Sequence, residues 1–326
     1  MKFSRREFLK GAFGGGIALI FFSPFGCKKR DISETDVAPR LKGRPRSPGE
    51  FKDLASVVAV ASGKDQRANT KAVVDALGGM SRFIRQGDVV LVKPNIAWNR
   101  PVDYGANTDP FVVAAVVSAS LEAGAREVRV SDRTCEDPRR TYKRSGIAEA
   151  ARAAGAKVYY VVEDYRYRDI SIPEGKLLKS WPFLSDALDA DVFINLPAAK
   201  HHDAAGLTLA MKNLMGILGG DRGDIHAGIH DKLVDINLAF RPTLNILDAT
   251  RCIVAHGPQG SGPEDVVKVG KVFASVNPVS LDAYAAQVLP FRNMENLPEY
   301  LLNAKSRGLG EIDISKMTVI SEPVPS

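Results

Sequence analysis

From residue 57 onward, short unbroken apolar runs alternate with segments whose apolar residues recur at helical spacing. The runs at 57–61, 89–92, 127–131, 157–162, 192–196, 244–247 and 317–320 predict strands. Several are apolar throughout, as expected of strands covered on both faces. Helices are predicted at 69–85, 110–123, 147–154, 232–240, 278–288 and 297–305. This alternation predicts an α/β fold, a mostly parallel sheet with helices on both faces. The 276 residues from 51 to 326 suffice for a single α/β body, in one lobe or two.

Ligands of such sheets bind beyond the carboxyl ends of the strands. The residues at those ends here are Lys93-Pro94-Asn95, Asp132-Arg133-Thr134-Cys135, Pro197 to His202, and Asp248-Ala249-Thr250. Each could be a turn former or helix cap, but four such groups on one rim predict a site. The densest stretch runs from Asn195 to Gly216 and carries Lys200, His201, His202, Asp203, Lys212 and Asn213. Lysine and histidine on a sheet rim can hold an anion, exchange protons near neutrality or, through neutral imidazole, ligate a metal. Lys200, His202, Lys212 and Asn213 are therefore the candidate catalytic residues. Lys93, Asn95, Asp132, Asp248 and Asp282 are the candidate substrate-binding residues.

His226 and His230 stand four apart, which on a helix places both on one face. With His201 they form a candidate set for a divalent metal, to which Asp203, Asp221 and Asp224 could add oxygen ligands. Gly228 between them weakens the helical reading. The segment 256–263 is glycine-rich, without the ending of a nucleotide P-loop, and reads either as an anion cradle or as a turn cluster. Three cysteines with no C-x-x-C do not support an iron–sulfur cluster. Cys135 and Cys252 either pair in an oxidising compartment or remain free thiols.

Charge separates the first 50 residues from the rest. Residues 1–27 hold four basic residues and one acid, and residues 28–50 hold seven and four. The remainder of the chain's 44 basic and 38 acidic residues is 33 of each. A neutral body argues against nucleic-acid binding, and a basic flank suits an anionic membrane surface. Arg5-Arg6, flanked by Ser4, Phe8, Leu9 and Lys10, precedes an apolar stretch of about 16 residues, short of the roughly 20 that span a bilayer. This predicts a twin-arginine signal region over 1–27. The export machinery of that route is then a partner, and the location is periplasmic or anchored outside the cytoplasmic membrane. Cys27 stands where a lipidated cysteine would, although Pro24 and Phe25 fit that signal poorly. Lipid anchorage, cleavage and an uncleaved anchor are the alternatives. Residues 28–50 read as a basic flexible tether.

Val90-Leu-Val-Lys-Pro-Asn95, Thr108-Asp-Pro110, Gly124-Ala125 with Asp132, and the run from Asn195 to Gly216 resemble the domain of unknown function family 362. Ile246-Leu-Asp248, Gly257-Pro258 with Gly260, and Asn277-Pro278 with Asp282 extend the resemblance over roughly residues 55–310. It implies no assigned activity. Some members of that family carry a ferredoxin-like cysteine module and are associated with redox proteins, but this chain lacks the module. It also departs from the family at Ala198, often a lysine, and at His201, often small and polar. In residue types alone there is an analogy to nickel-dependent lactate racemases. The expectation is an exported enzyme binding a small anionic or redox-active molecule. The alternatives are a ligand- or metal-binding accessory protein serving an exported redox partner, or a structural subunit.

Overall fold

The computed structural model describes residues 41–162, 165–292 and 294–324. The expected signal region and the expected tether up to residue 40 lie outside the described residues. Twelve strands and nine α-helices are described. The strands are β1 (Val57–Ser62), β2 (Val89–Pro94), β3 (Glu127–Val130), β4 (Lys157–Val158), β5 (Tyr167–Ser171), β6 (Ser180–Leu184), β7 (Val192–Leu196), β8 (Ala198–His202), β9 (Gly206–Thr208), β10 (Leu244–Ile253), β11 (Val266–Ser275) and β12 (Thr318–Pro323). The helices are α1 (Gln66–Ala76), α2 (Pro110–Glu122), α3 (Pro138–Arg144), α4 (Ile147–Ala153), α5 (Ser185–Asp189), α6 (Ala210–Asn213), α7 (Ile229–Ala239), α8 (Pro278–Val288) and α9 (Glu299–Ser306).

The main sheet runs β12-β1-β11-β10-β7-β2-β3-β4, with β8 and β9 branching from β10; along the path β11 is antiparallel to both neighbours and the other pairs are parallel. Strand side chains alternate between two cores. Val90 and Val92 of β2 join Val113 of α2 and Val73 of α1 on one face, while Leu91 joins residues of α7, α8 and α9 on the other. Helices therefore cover both faces of a mostly parallel sheet, the predicted fold class. Among the described residues no helix is long and apolar enough to cross a membrane.

The longest strands create the site. β10 spans ten residues, and its first half pairs with β7 through Leu244 and Asn245. β8 continues the path of β7 past Pro197, whose carbonyl accepts from Asp248 N at 2.9 Å, and pairs with the second half of β10. β8 then turns back through β9. This extension beyond the sheet rim carries Lys200 and His202.

Several local expectations change. The predicted helix 69–85 starts earlier, where Asp65 caps Arg67 and Ala68, and stops at Gly78 and Gly79, both at positive φ. β11 was not predicted, because Lys268, Gly270 and Lys271 interrupt its apolar pattern. The glycine-rich segment 256–263 lies in the β10–β11 connection, in accord with the turn reading. Its amides are engaged internally: Gly257 N donates to His201 Nδ1, Gly260 N to His256 O and Ser261 N to Asp265.

The end of the expected tether also differs. Gly43 N and Arg46 N donate to Asp189 O and Asp191 O, and the Arg46 guanidinium forms a bidentate pair with Asp88 at 2.7 and 2.9 Å. Only 11% of either side chain is exposed. A buried acid on the body thus captures one basic residue of the segment, so residues 41–50 belong to the fold. Arg46→Ala leaves Asp88 unpaired, and the expected loss of stability in urea unfolding is about 2–3 kcal/mol. A loss below 0.5 kcal/mol would assign the segment no structural role.

Candidate functional site

A cleft of about 930 Å³ opens at the carboxyl ends of β2, β3 and β7, beneath the β8–β9 extension. Its lining includes Lys93, Asn95, Asp132, Lys200, His202, Lys212 and Asn213, seven of the residues singled out in the sequence. Three of these are buried lysines, and their surroundings differ.

Lys93 ends β2 and pairs with Asp132 at 2.8 Å while donating to Pro94 O at 2.9 Å. Burial lowers its pKa, against the pull of Asp132. The other oxygen of Asp132 accepts from Ile96 N at 2.7 Å. Gly216 packs directly on this pair, and a β-carbon there would overlap Asp132 Oδ1 and lie 2.5 Å from Lys93 Cε.

Lys200, only 1% exposed, donates to Asn95 Oδ1 and to Ala106 O, both at 2.8 Å, and has no carboxylate partner among the described residues. Burial, reinforced by the charge of Lys212, lowers its pKa to about 7. Lys212 lies on α6, and its ammonium forms no hydrogen bond or ion pair among the described residues. Burial brings its pKa down to about 8.

His202 Nδ1 accepts from Ala204 N and Ala205 N, both at 3.2 Å. These two donors place the ring proton on Nε2. Burial, then the Lys212 charge, pushes the pKa down to about 3, so the ring is a neutral Nε2–H donor across the physiological range. Its neighbour in the cleft is the ring of His226, stacked at 6.1 Å between centroids.

Asn213 Oδ1 accepts from Asn95 Nδ2 at 2.9 Å, and its own Nδ2 donates to Asn195 Oδ1 at 2.8 Å. Asn195 Nδ2 in turn donates to Asn245 Oδ1 at 2.9 Å. Asn245 Nδ2 donates to the carbonyls of Ser275 and Val276, both at 3.3 Å.

Two expected substrate-binding residues are placed behind the cleft. Asp248 accepts from Asp109 N, Thr250 N and Thr250 Oγ1, and burial raises its pKa to about 6. Asp282 accepts from Ala210 N and Met211 N, holding the start of α6, and burial raises its pKa to about 8. It positions Lys212 and Asn213 rather than a ligand.

The candidate metal set is dispersed. His201 Nδ1 meets Gly257 N, His226 Nδ1 lies 3.3 Å from Gly223 O, and His230 Nε2 lies 3.9 Å from Glu299. Among the described residues no three histidine, cysteine or acidic side chains converge on one point. The described donors do not fit a metal. Both described cysteines are free: Cys252 is buried in β10, and Cys135 is exposed on the cleft wall.

Arg222 was not singled out in the sequence. It lines the cleft while donating to Arg133 O and Thr134 O at 2.9 and 2.7 Å. It follows a glycine pair in a polar stretch, with no periodicity to mark it.

The fold and cleft define an α/β protein with a lysine-rich site at the sheet rim. The chain belongs to the family described as a domain of unknown function, DUF362, whose model matches residues 90–287. A thylakoid-associated protein of Synechocystis sp. is 29% identical over 230 residues, covering 68% of this chain and 69% of that protein. The lactate racemase apoprotein of Thermoanaerobacterium thermosaccharolyticum is similar at TM-score 0.43 and 12% identity, covering 74% of this chain and 60% of the racemase. A protein of Thermotoga maritima is similar at TM-score 0.35 and 14% identity, covering 57% of this chain and 51% of that one.

Lys212 generates a pH prediction. Its folded pKa lies below the unfolded value, so between about pH 8 and 10.5 the unfolded chain binds more protons and stability rises with pH. Below that window the cost of burying the ammonium is present in full. Lys212→Met should therefore stabilise the protein at pH 6 by about 3–4 kcal/mol, at roughly 1.4 kcal/mol per pK unit. The gain should shrink towards pH 10.5 in urea unfolding. A variant less stable than wild type at pH 6 would show that Lys212 is structurally compensated.

Proposed function

We propose that this protein is an enzyme whose cleft binds a small organic anion and moves a proton on it. The observation that carries this reading is that Lys200 and Lys212 are buried together in one cleft, neither in an ion pair with a carboxylate among the described residues. Buried charge is costly unless paired, so an arriving anion supplies the missing partner. Lys212 would hold the anionic group and the His202 Nε2–H would donate to a second oxygen. Lys200, with a pKa of about 7, would exchange the proton. An accessory protein that only binds the anion is the alternative, and it predicts binding without turnover.

Binding is tested by calorimetry with oxalate and phosphate as probes. Affinity should fall as pH rises through about 8, because Lys212 loses its charge there. Binding near that pH should take up a proton, visible as a heat that depends on the buffer. Lys212→Met should weaken binding about 10- to 100-fold. Equal affinity in the variant would remove Lys212 from the reading.

We further propose that the chain is exported by the twin-arginine route through residues 1–27, leaving the cleft outside the cytoplasm. An exported redox partner and membrane contact through the N-terminal region belong to the same reading. The thylakoid association of the Synechocystis relative supports a location at or across a membrane. Replacing Arg5 and Arg6 together by lysine should leave the protein in the cytoplasmic fraction, whereas undiminished export would overturn the route.

A further inference from the structure

The three cleft lysines are all buried but not equivalent. Lys93 faces a carboxylate at 2.8 Å, the setting of a cation. Lys200 gives its two hydrogen bonds to neutral oxygens, an asparagine amide and a backbone carbonyl. Neither requires an ammonium, since a neutral amine also has two N–H donors. With the carbon and these two hydrogens placed, one tetrahedral position on the nitrogen remains, with no partner among the described residues. Lys200 lines the cleft, as do Lys212 and His202.

Resting on the anion-binding reading, we propose that the Lys200 amine forms an imine with the carbonyl group of a small oxo acid whose carboxylate lies against Lys212. The cleft holds each part this step requires. A neutral lysine is a nucleophile, and desolvation beside a second cation shifts it towards that form. The lowered pKa of Lys200, caused first by burial and then by Lys212, agrees with this. His202 presents a ring N–H and no free acceptor, which suits an oxygen on which negative charge develops.

The step balances without an oxidant or reductant. The Lys200 Nζ lone pair bonds to the carbonyl carbon while the C=O π pair moves onto oxygen, which the His202 N–H stabilises. One proton passes from the nitrogen to that oxygen, giving a carbinolamine. The C–O bond then breaks, the oxygen takes a second proton originating on the amine, and water leaves. The C=N bond so formed withdraws electrons from the adjacent carbon, preparing it to lose a proton or a carboxylate.

The test uses the purified full chain with pyruvate and, separately, glyoxylate as probes, each followed by sodium borohydride and peptide mass mapping. The expected result is one reduced N-alkyl adduct, on the peptide holding Lys200, in close to one copy per chain with at least one probe. Oxalate should suppress it, and its yield should rise with pH through about 7 as the amine loses its proton. Lys200→Met should carry no adduct. Because the wild-type map itself names the residue, the assignment survives a variant that folds poorly. Calorimetric binding of a probe without any adduct would overturn the imine and leave the anion reading standing. Absence of both adduct and binding, with oxalate also unbound, would overturn both. An adduct on Lys93 or Lys212 would overturn the assignment to Lys200.

Discussion

A single row of residues crosses the sheet at right angles to its strands, and the site hangs from it. Strand register sets Lys93 beside Asn195, Asn195 beside Asn245, and Asn245 beside Ser275. Asn195 and Asn245 lie inside strands covered on both faces, where an amide must find partners or cost several kcal/mol. They find them in each other and in Asn213 and Asn95, through donors that all point the same way. The last donors reach carbonyls at the end of β11, so the direction of the chain is fixed at its foot. At its head that direction leaves Asn95 Oδ1 as an acceptor for Lys200. A slip of one residue in any of these strands would turn an asparagine to the opposite face and break the chain. Local register and distant site chemistry are thereby one constraint.

The same logic explains why two acids expected at the ligand stand behind it. Asp282 spends both oxygens on the first amides of α6, and Asp248 spends its own on Asp109 N and Thr250. A helix of four residues has little stability of its own. The carboxylate beneath its first turn is what places Lys212 and Asn213 at the cleft. These acids build the site without facing it.

How much of this was legible in the sequence follows from the same physics. The central strands were readable because burial on both faces forces an apolar run. β11 escaped because its outer half is half-exposed and tolerates Lys268 and Lys271. The residues after β2, β3 and β7 could be gathered on one rim because parallel strands put their carboxyl ends together. The histidines could not be sorted that way. His201 and His202 are adjacent in a strand and so face opposite sides, towards Gly257 and the cleft respectively. Asn245 was overlooked although its signal was present, a lone amide between Leu244 and Ile246. Gly216 is legible only in three dimensions, since nothing in the chain near it announces the ion pair packed against it.

That glycine decides where the charge of the cleft goes. Of the acids lining the cleft, Asp203 and Asp221 are exposed, and Asp132 alone is buried. The oxygens of Asp132 are divided between Lys93 and Ile96 N, and Gly216 packs against this pair so closely that any side chain there would displace it. Lys200 and Lys212 are thus denied the one internal counter-ion within the site. Folding the protein leaves them depressed in pKa and without a carboxylate partner among the described residues, a condition that, on the proposed function, an incoming anion would relieve. On the proposed function, the stability forgone in burying two unpaired amines would be held as affinity and reactivity at the rim of the sheet.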